Sequence, residues 1–161
     1  AENRRLAGRI GVDEIVGFEP VAGSWERDPA VVDRVRHFGG DGVDVAMEMS
    51  GHNSSLNSTI ASVRRGGDVV LFGINSGDFT IQDFSEIITN AISMHSVFGR
   101  QIFRTWCMTR NLLESARTGV QDKVWDVILN RGEGTIVDIA DYEPEAFERS
   151  ILAHPKIIIR W

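Results

Sequence analysis

Glu48 stands in an otherwise apolar run, Val43 to Met49, where an unpaired carboxylate would be costly. Two readings follow: a group facing a crevice, or a carboxylate partnered close to the end of its strand. The other residues able to do chemistry are more scattered. His37, His52, His95 and His154 show no metal-ligand spacing, and His95, inside a strand candidate, reads as a partnered or edge residue rather than a base. Cys107 has no basic neighbour except Arg104 and Arg110 on its own helix, which suits packing better than nucleophilic attack. Met47 and Met49 are expected in the core. A phosphate cradle of the form G-x-G-x-x-G is absent: Gly39-Gly40-Asp41-Gly42 and Gly132-Glu133-Gly134 have the wrong spacing and neighbours.

The elements that position Glu48 form one strand–helix–strand unit. The run Val43 to Met49 lies between Asp41-Gly42 and Ser50-Gly51 and is rich in strand formers. Leu56, Ile60 and Val63 then fall at helical spacing on one face. Gly66-Gly67 is expected to stop that helix, glycine being the residue that enters the left-handed conformation freely. Val69 to Phe72 is a second apolar run, closed by Gly73. Runs that are apolar on both faces belong to a parallel sheet flanked by helices.

Upstream, Glu2 to Ile10 reads as the end of a helix, and Glu14 to Phe18 as a short strand. Asp28-Pro29 opens a helix with Val31, Val32, Val35 and Phe38 on its buried face. Downstream, Asp83 and Glu86 have capping-box spacing ahead of Ile87, Ile88 and Ala91. Ser93 to Phe98 is a further strand, and Ile102, Trp106, Thr109, Leu113 and Ala116 mark an amphipathic helix. The tail reads as strand Thr135 to Ile139, a helix opened by Pro144 and Glu145, and strand Ile157 to Trp161. The alternation predicts an α/β fold, with residues 1–120 as one domain and 121–161 as a strand–helix–strand tail.

With 161 residues, 42% of them hydrophobic and 25% charged, the chain can bury a real core and is neither disordered nor fibrous. A net charge of −6 argues against a nucleic-acid groove, which needs clustered Lys and Arg. No apolar stretch approaches the length of a membrane span, and no secretory pattern opens the chain. One cysteine allows neither an intramolecular disulfide nor a thiolate metal cluster, so a cytoplasmic location is the expectation.

The segments GVDVAMEMSG (42–51) and RRGGDVVLFGI (64–74), followed by Phe98, Gly99, Arg100, Thr105 and Trp106, resemble the zinc-dependent medium-chain alcohol dehydrogenases, nearest their threonine dehydrogenase branch. The resemblance is good from Asn3 to Ala116 and loose in the tail, where the family usually shows Gly-Lys-x-Gly-Lys-Val-Val and this chain reads AHPKIIIRW. It implies NAD-dependent oxidation of a secondary alcohol, with hydride passing to the nicotinamide and zinc polarising the hydroxyl. It also implies a partial Rossmann-like parallel sheet lacking the first two strands of the dinucleotide fold, with the pyrophosphate turn, the ribose-binding acid and the zinc ligands outside this chain.

By position, the resemblance puts Phe72, Gly73, Ile74, Val97 and Phe98 beside the nicotinamide, at the carboxyl ends of parallel strands. Ser50 and Gly51 end the preceding strand in the same way. All of these also read as plain strand ends followed by turns. The family's ribose-contacting arginine aligns nearest Asn3, so the adjacent Arg4 or Arg5 could substitute, against a simple solvated helix face.

Three expectations follow. Residues 14–18 should pair directly with Val43 to Met49, or be completed by another chain supplying the missing strands. NAD should bind weakly or not at all, and the isolated chain should turn over no alcohol, since the pyrophosphate turn is missing. The outer edge from Ser93 to Phe98 carries neither Pro nor Lys to blunt it, which points to a homo-oligomer through that strand unless the tail covers it. The alternative to a dehydrogenase fragment is a non-catalytic Rossmann-like binding or oligomerisation module.

Overall fold

The computed structural model describes residues 2–17, 25–74, 77–99 and 101–161. They fall into two compact units, 16–99 and 1–15 with 100–161, so the boundary expected at residue 120 lies inside the second unit.

In the unit 16–99, a parallel three-stranded sheet runs in the order β1 (Val43–Glu48), β2 (Val63–Leu71), β3 (Ser93–Ser96). Helix α3 (Asn53–Ser62) connects β1 to β2, and the short α4 (Ser85–Thr89) connects β2 to β3. The core joins Leu56 and Ile60 of α3 to Val63, Val69 and Ile92, with Ala46, Leu71 and Met94 of the sheet packed against them. Helix α2 (Pro29–Gly39) starts as its sequence demands: the Asp28 carboxylate accepts from the N–H groups of Ala30 (3.0 Å) and Val31 (3.3 Å), and Pro29 takes the first turn. Of its expected buried face Val32 is buried, whereas Phe38 is exposed.

Helix α3 buries polar groups as well as apolar ones, and each has a partner. The Asn57 side chain donates to the carbonyls of Trp25 (2.7 Å) and Thr80 (2.9 Å) and accepts from Gln82 N–H (2.9 Å). The Ser58 hydroxyl accepts from Asp28 N–H (2.9 Å). These bonds hold two loop segments onto one helix, which satisfies backbone groups that no strand pairs.

Four sequence expectations need correction. Gly66-Gly67 does not stop α3, which ends at Ser62; the glycines lie within β2. Going from Val43 to Val45 on β1, the partner on β2 moves from Val63 to Asp68, so the residues between them bulge out of the ladder. Gly66 takes φ +70° there and donates its N–H to Asn90 O (2.7 Å). A glycine pair signals a left-handed or crowded backbone, and here the bulge, not a helix end, uses it.

Residues 14–17 form no strand, and Phe18 lies outside the described residues. A short apolar run becomes a strand only where a neighbour supplies hydrogen bonds, and β1 pairs only with β2 among the described residues. The capping box is not made, since Arg27 engages Glu86 (2.9 Å) and Asp83 (3.1 Å) instead. Met47 and Met49 are exposed, because the face of the sheet carrying Val45, Met47, Phe72 and Val97 is the one away from the core.

In the other unit, α1 (Glu2–Ile10) buries Leu6, and Arg9 reaches the carbonyl of Asp126 (3.2 Å). Helix α5 (Arg104–Glu114) has no buried residue; Cys107 is exposed, so the packing role expected for it is not filled. Helix α6 (Val120–Lys123) runs on into a π-helical turn, Val124–Ile128, that buries Val127. Strands β4 (Ile136–Asp138) and β5 (Ile158–Arg160) pair in parallel across α7 (Pro144–Ala153), with Asp138 and Arg160 forming an ion pair. Among the described residues no helix is long and apolar enough to cross a membrane.

Candidate functional site

The three parallel strands end side by side, and their ends are tied together by backbone hydrogen bonds. Phe72 N–H (2.9 Å) and Gly73 N–H (3.0 Å) both donate to the carbonyl of Glu48, and Val97 N–H donates to Leu71 O (2.9 Å). Thus Ser50-Gly51, Phe72-Gly73-Ile74 and Val97-Phe98 lie at one edge of the sheet, as their positions at the ends of apolar runs led us to expect. Gly51 is buried and takes φ +74°. A Cβ on Gly73 would overlap both Gly51 N and the Glu48 carboxylate, so the absence of a side chain at Gly73 is required by the packing of the two strand ends against each other.

Glu48 is 2% exposed and is a partnered carboxylate. Its Oε1 accepts from Ser50 N–H (2.9 Å) and the Ser50 hydroxyl (2.6 Å), and Gly51 N–H reaches both oxygens (3.1 and 3.0 Å). Burial alone would raise its pKa, but the Ser50 hydroxyl, the Gly51 and Ser50 N–H groups and the Ser55 side chain together hold it below the ordinary carboxylate value. Sequence reasoning missed Ser55, although it lies one helical turn into the element that follows. The reason for Gly73 was also hidden, since it rests on a contact with a distant strand.

Around this edge Phe72, Ile74, Val97 and Phe98 are all exposed, Ile74 to 76% and Phe98 to 88%. Arg4 belongs to α1 in the other compact unit. The His95 ring meets Asp68 (2.7 Å) at an exposed position, a partnered edge residue as expected. Among the described residues no group of three or more His, Cys, Asp or Glu is placed to hold a metal ion, so these residues do not fit a zinc site.

Comparison with known proteins places this arrangement. Residues 1–115 match the family described as zinc-binding dehydrogenase. L-threonine 3-dehydrogenase of Cutibacterium acnes is 44% identical over 75 residues, which cover 47% of this chain and 21% of that protein. L-threonine 3-dehydrogenase of Streptomyces avermitilis is 31% identical over 114 residues, 70% of this chain and 31% of that protein. The chain thus spans less than a third of the length of these relatives.

Two solved structures share the fold. The 2R,3R-butanediol dehydrogenase of Bacillus subtilis superposes on 99% of this chain and 41% of its own, with TM-score 0.63 and 22% identity. An NAD-dependent alcohol dehydrogenase does so over 98% and 40%, with TM-score 0.58 and 17% identity. The sheet is therefore Rossmann-like, and zinc and a nicotinamide dinucleotide are the cofactors that the descriptions of family and neighbour name. The chain belongs to the zinc-binding dehydrogenase family.

Proposed function

We propose that this chain supplies the nicotinamide-side wall of an NAD-dependent dehydrogenase that oxidises a secondary alcohol, in the manner of the threonine and alcohol dehydrogenases it is similar to. One observation carries the reading: the ends of β1, β2 and β3 converge in a single fixed edge, with Gly51 and Gly73 in backbone contact. Ligands of open parallel sheets bind outside the carboxyl ends of the strands. When bound, the dinucleotide supplies the hydride acceptor. The backbone of Gly73, Ile74, Val97 and Phe98 orients its carboxamide, and the apolar side chains of Phe72, Ile74 and Val97 keep water from one ring face. Ser50 and Gly51 border the same crevice. Zinc belongs to a part of the enzyme outside the described residues, and no step here passes through it. A cytoplasmic location goes with this reading.

The test is amide-resolved NMR of the 161-residue chain with millimolar nicotinamide mononucleotide, and AMP as comparison. Shifts at Gly51, Gly73, Ile74 and Val97 with the nicotinamide ligand are expected. Shifts confined to residues 101–161, or none, would overturn the reading. Calorimetry should find NAD binding weaker than about micromolar, since charge-assisted bonds to the pyrophosphate are missing.

A second role is favoured by the sheet edge. Beyond β3 no further strand is hydrogen-bonded among the described residues, while Val97 and Phe98 are exposed beside it. We propose that β3 pairs with its copy in a second chain, in a two-fold contact that needs a single self-complementary edge.

A further inference from the structure

We infer that Glu48 is the positioning residue of this site: its carboxylate holds the Ser50-Gly51 turn while its main-chain carbonyl holds Phe72-Gly73, and together they set the spacing of the two strand ends that face the nicotinamide. For the ligand the inference rests on the reading above; for the geometry it does not.

The argument starts from a carboxylate that is almost fully buried yet whose partners among the described residues are all neutral donors. A buried charge without a countercharge is tolerated only where several N–H and O–H groups converge on it. Here they converge from the turn that follows β1, while the Glu48 carbonyl takes both Phe72 N–H and Gly73 N–H from the end of β2. One residue therefore binds one strand end through its side chain and the other through its main chain. Gly73 completes the clasp, because any side chain there would overlap the Glu48 Oε2 and Gly51 N.

The carboxylate is not placed to act as a base. Oε1 already accepts from Ser50 N–H, the Ser50 hydroxyl and Gly51 N–H, and Oε2 is taken by Gly51 and covered by Gly73. Its effect on hydride transfer would run through the placement of Gly51 and Gly73, where small displacements of reacting groups cost rate steeply.

No neutral side chain reproduces this geometry. Glu48→Gln keeps the shape but turns an N–H2 toward Gly51 N–H, donor against donor. The experiment compares the wild-type chain, Glu48→Gln and, as a control for ordinary loss of stability, the core variant Ile60→Val. Amide exchange is read at Ser50, Gly51 and Gly73 relative to Val69, and shifts induced by nicotinamide mononucleotide are read at Ile74 and Val97.

In Glu48→Gln, exchange at the three strand-end amides should speed by about tenfold or more beyond the change at Val69, with the ligand shifts reduced by a similar factor. Ile60→Val should leave both ratios unchanged. Equal ratios in the two variants would overturn the inference. Loosened exchange in Glu48→Gln together with no ligand shifts in the wild type would sustain the clasp and overturn the cofactor reading. Should Glu48→Gln fail to fold, Ser50→Ala removes one donor and gives a graded form of the same comparison.

Discussion

The folded state holds the Glu48 carboxyl below its ordinary value: burial opposes ionisation, but the hydrogen bonds from Ser50, Gly51 and Ser55 outweigh it. In the unfolded chain the group titrates in the ordinary carboxylate range, about 4.3. A depressed carboxyl contributes stability that is fully present above the unfolded pKa and is lost as pH falls through the folded one. The urea midpoint of the wild-type chain should therefore be flat in this contribution near neutrality and fall on acidification below about pH 4.5. Glu48→Gln should show a shallower fall over the same range. Parallel acid profiles for the two chains would contradict the assignment. The oddity of Glu48 was legible in the sequence, since an acid in an apolar strand followed by Ser50-Gly51 has its donors close at hand. Of the two readings the sequence offered, the partnered one is what the structure shows, and only the donor from Ser55 was not legible.

At the scale of elements, α2 offers the cleanest measurement. Asp28 caps its first turn, and replacing it with Ala should lower stability by about 1 kcal/mol, read from urea unfolding monitored by circular dichroism. An unchanged midpoint would mean that the bond from Asp28 N–H to the Ser58 hydroxyl suffices to hold the helix start. This start was readable because its chemistry is local: Asp, then Pro, then an apolar periodicity. The strands β1, β2 and β3 were readable for a related reason, as apolar runs closed by small residues. Three of the misreadings concern distant partners. Asp83 and Glu86 have the spacing of a cap, but Arg27 takes both carboxylates. Gly66-Gly67 looks like a helix stop, but its role follows from the register of β2 against β1. Glu14 and its neighbours resemble a strand, but pairing is a property of two segments and cannot be seen in one.

For the molecule as a whole, the decisive question is association. Val97 N–H points inward to Leu71. Backbone N–H groups alternate sides along a strand, so that of Ser96 points outward. Sedimentation at tens of micromolar, a working range for an interface of ordinary size, should show a dimer for the wild type and a monomer for Ser96→Pro. A wild-type monomer would remove the pairing of β3 with its copy. Which substrate the proposed enzyme takes was not legible, because substrate choice depends on the particular side chains of a site and not on the fold.

The sheet face bearing Val45, Met47, Phe72 and Val97 is open in the chain as it stands. Apolar surface that is already wet contributes nothing to the heat capacity of unfolding. The chain should thus have a flatter stability curve than its length alone suggests, and it should lose stability over a broad temperature range instead of a narrow one. Covering that face should both sharpen the transition and raise its midpoint.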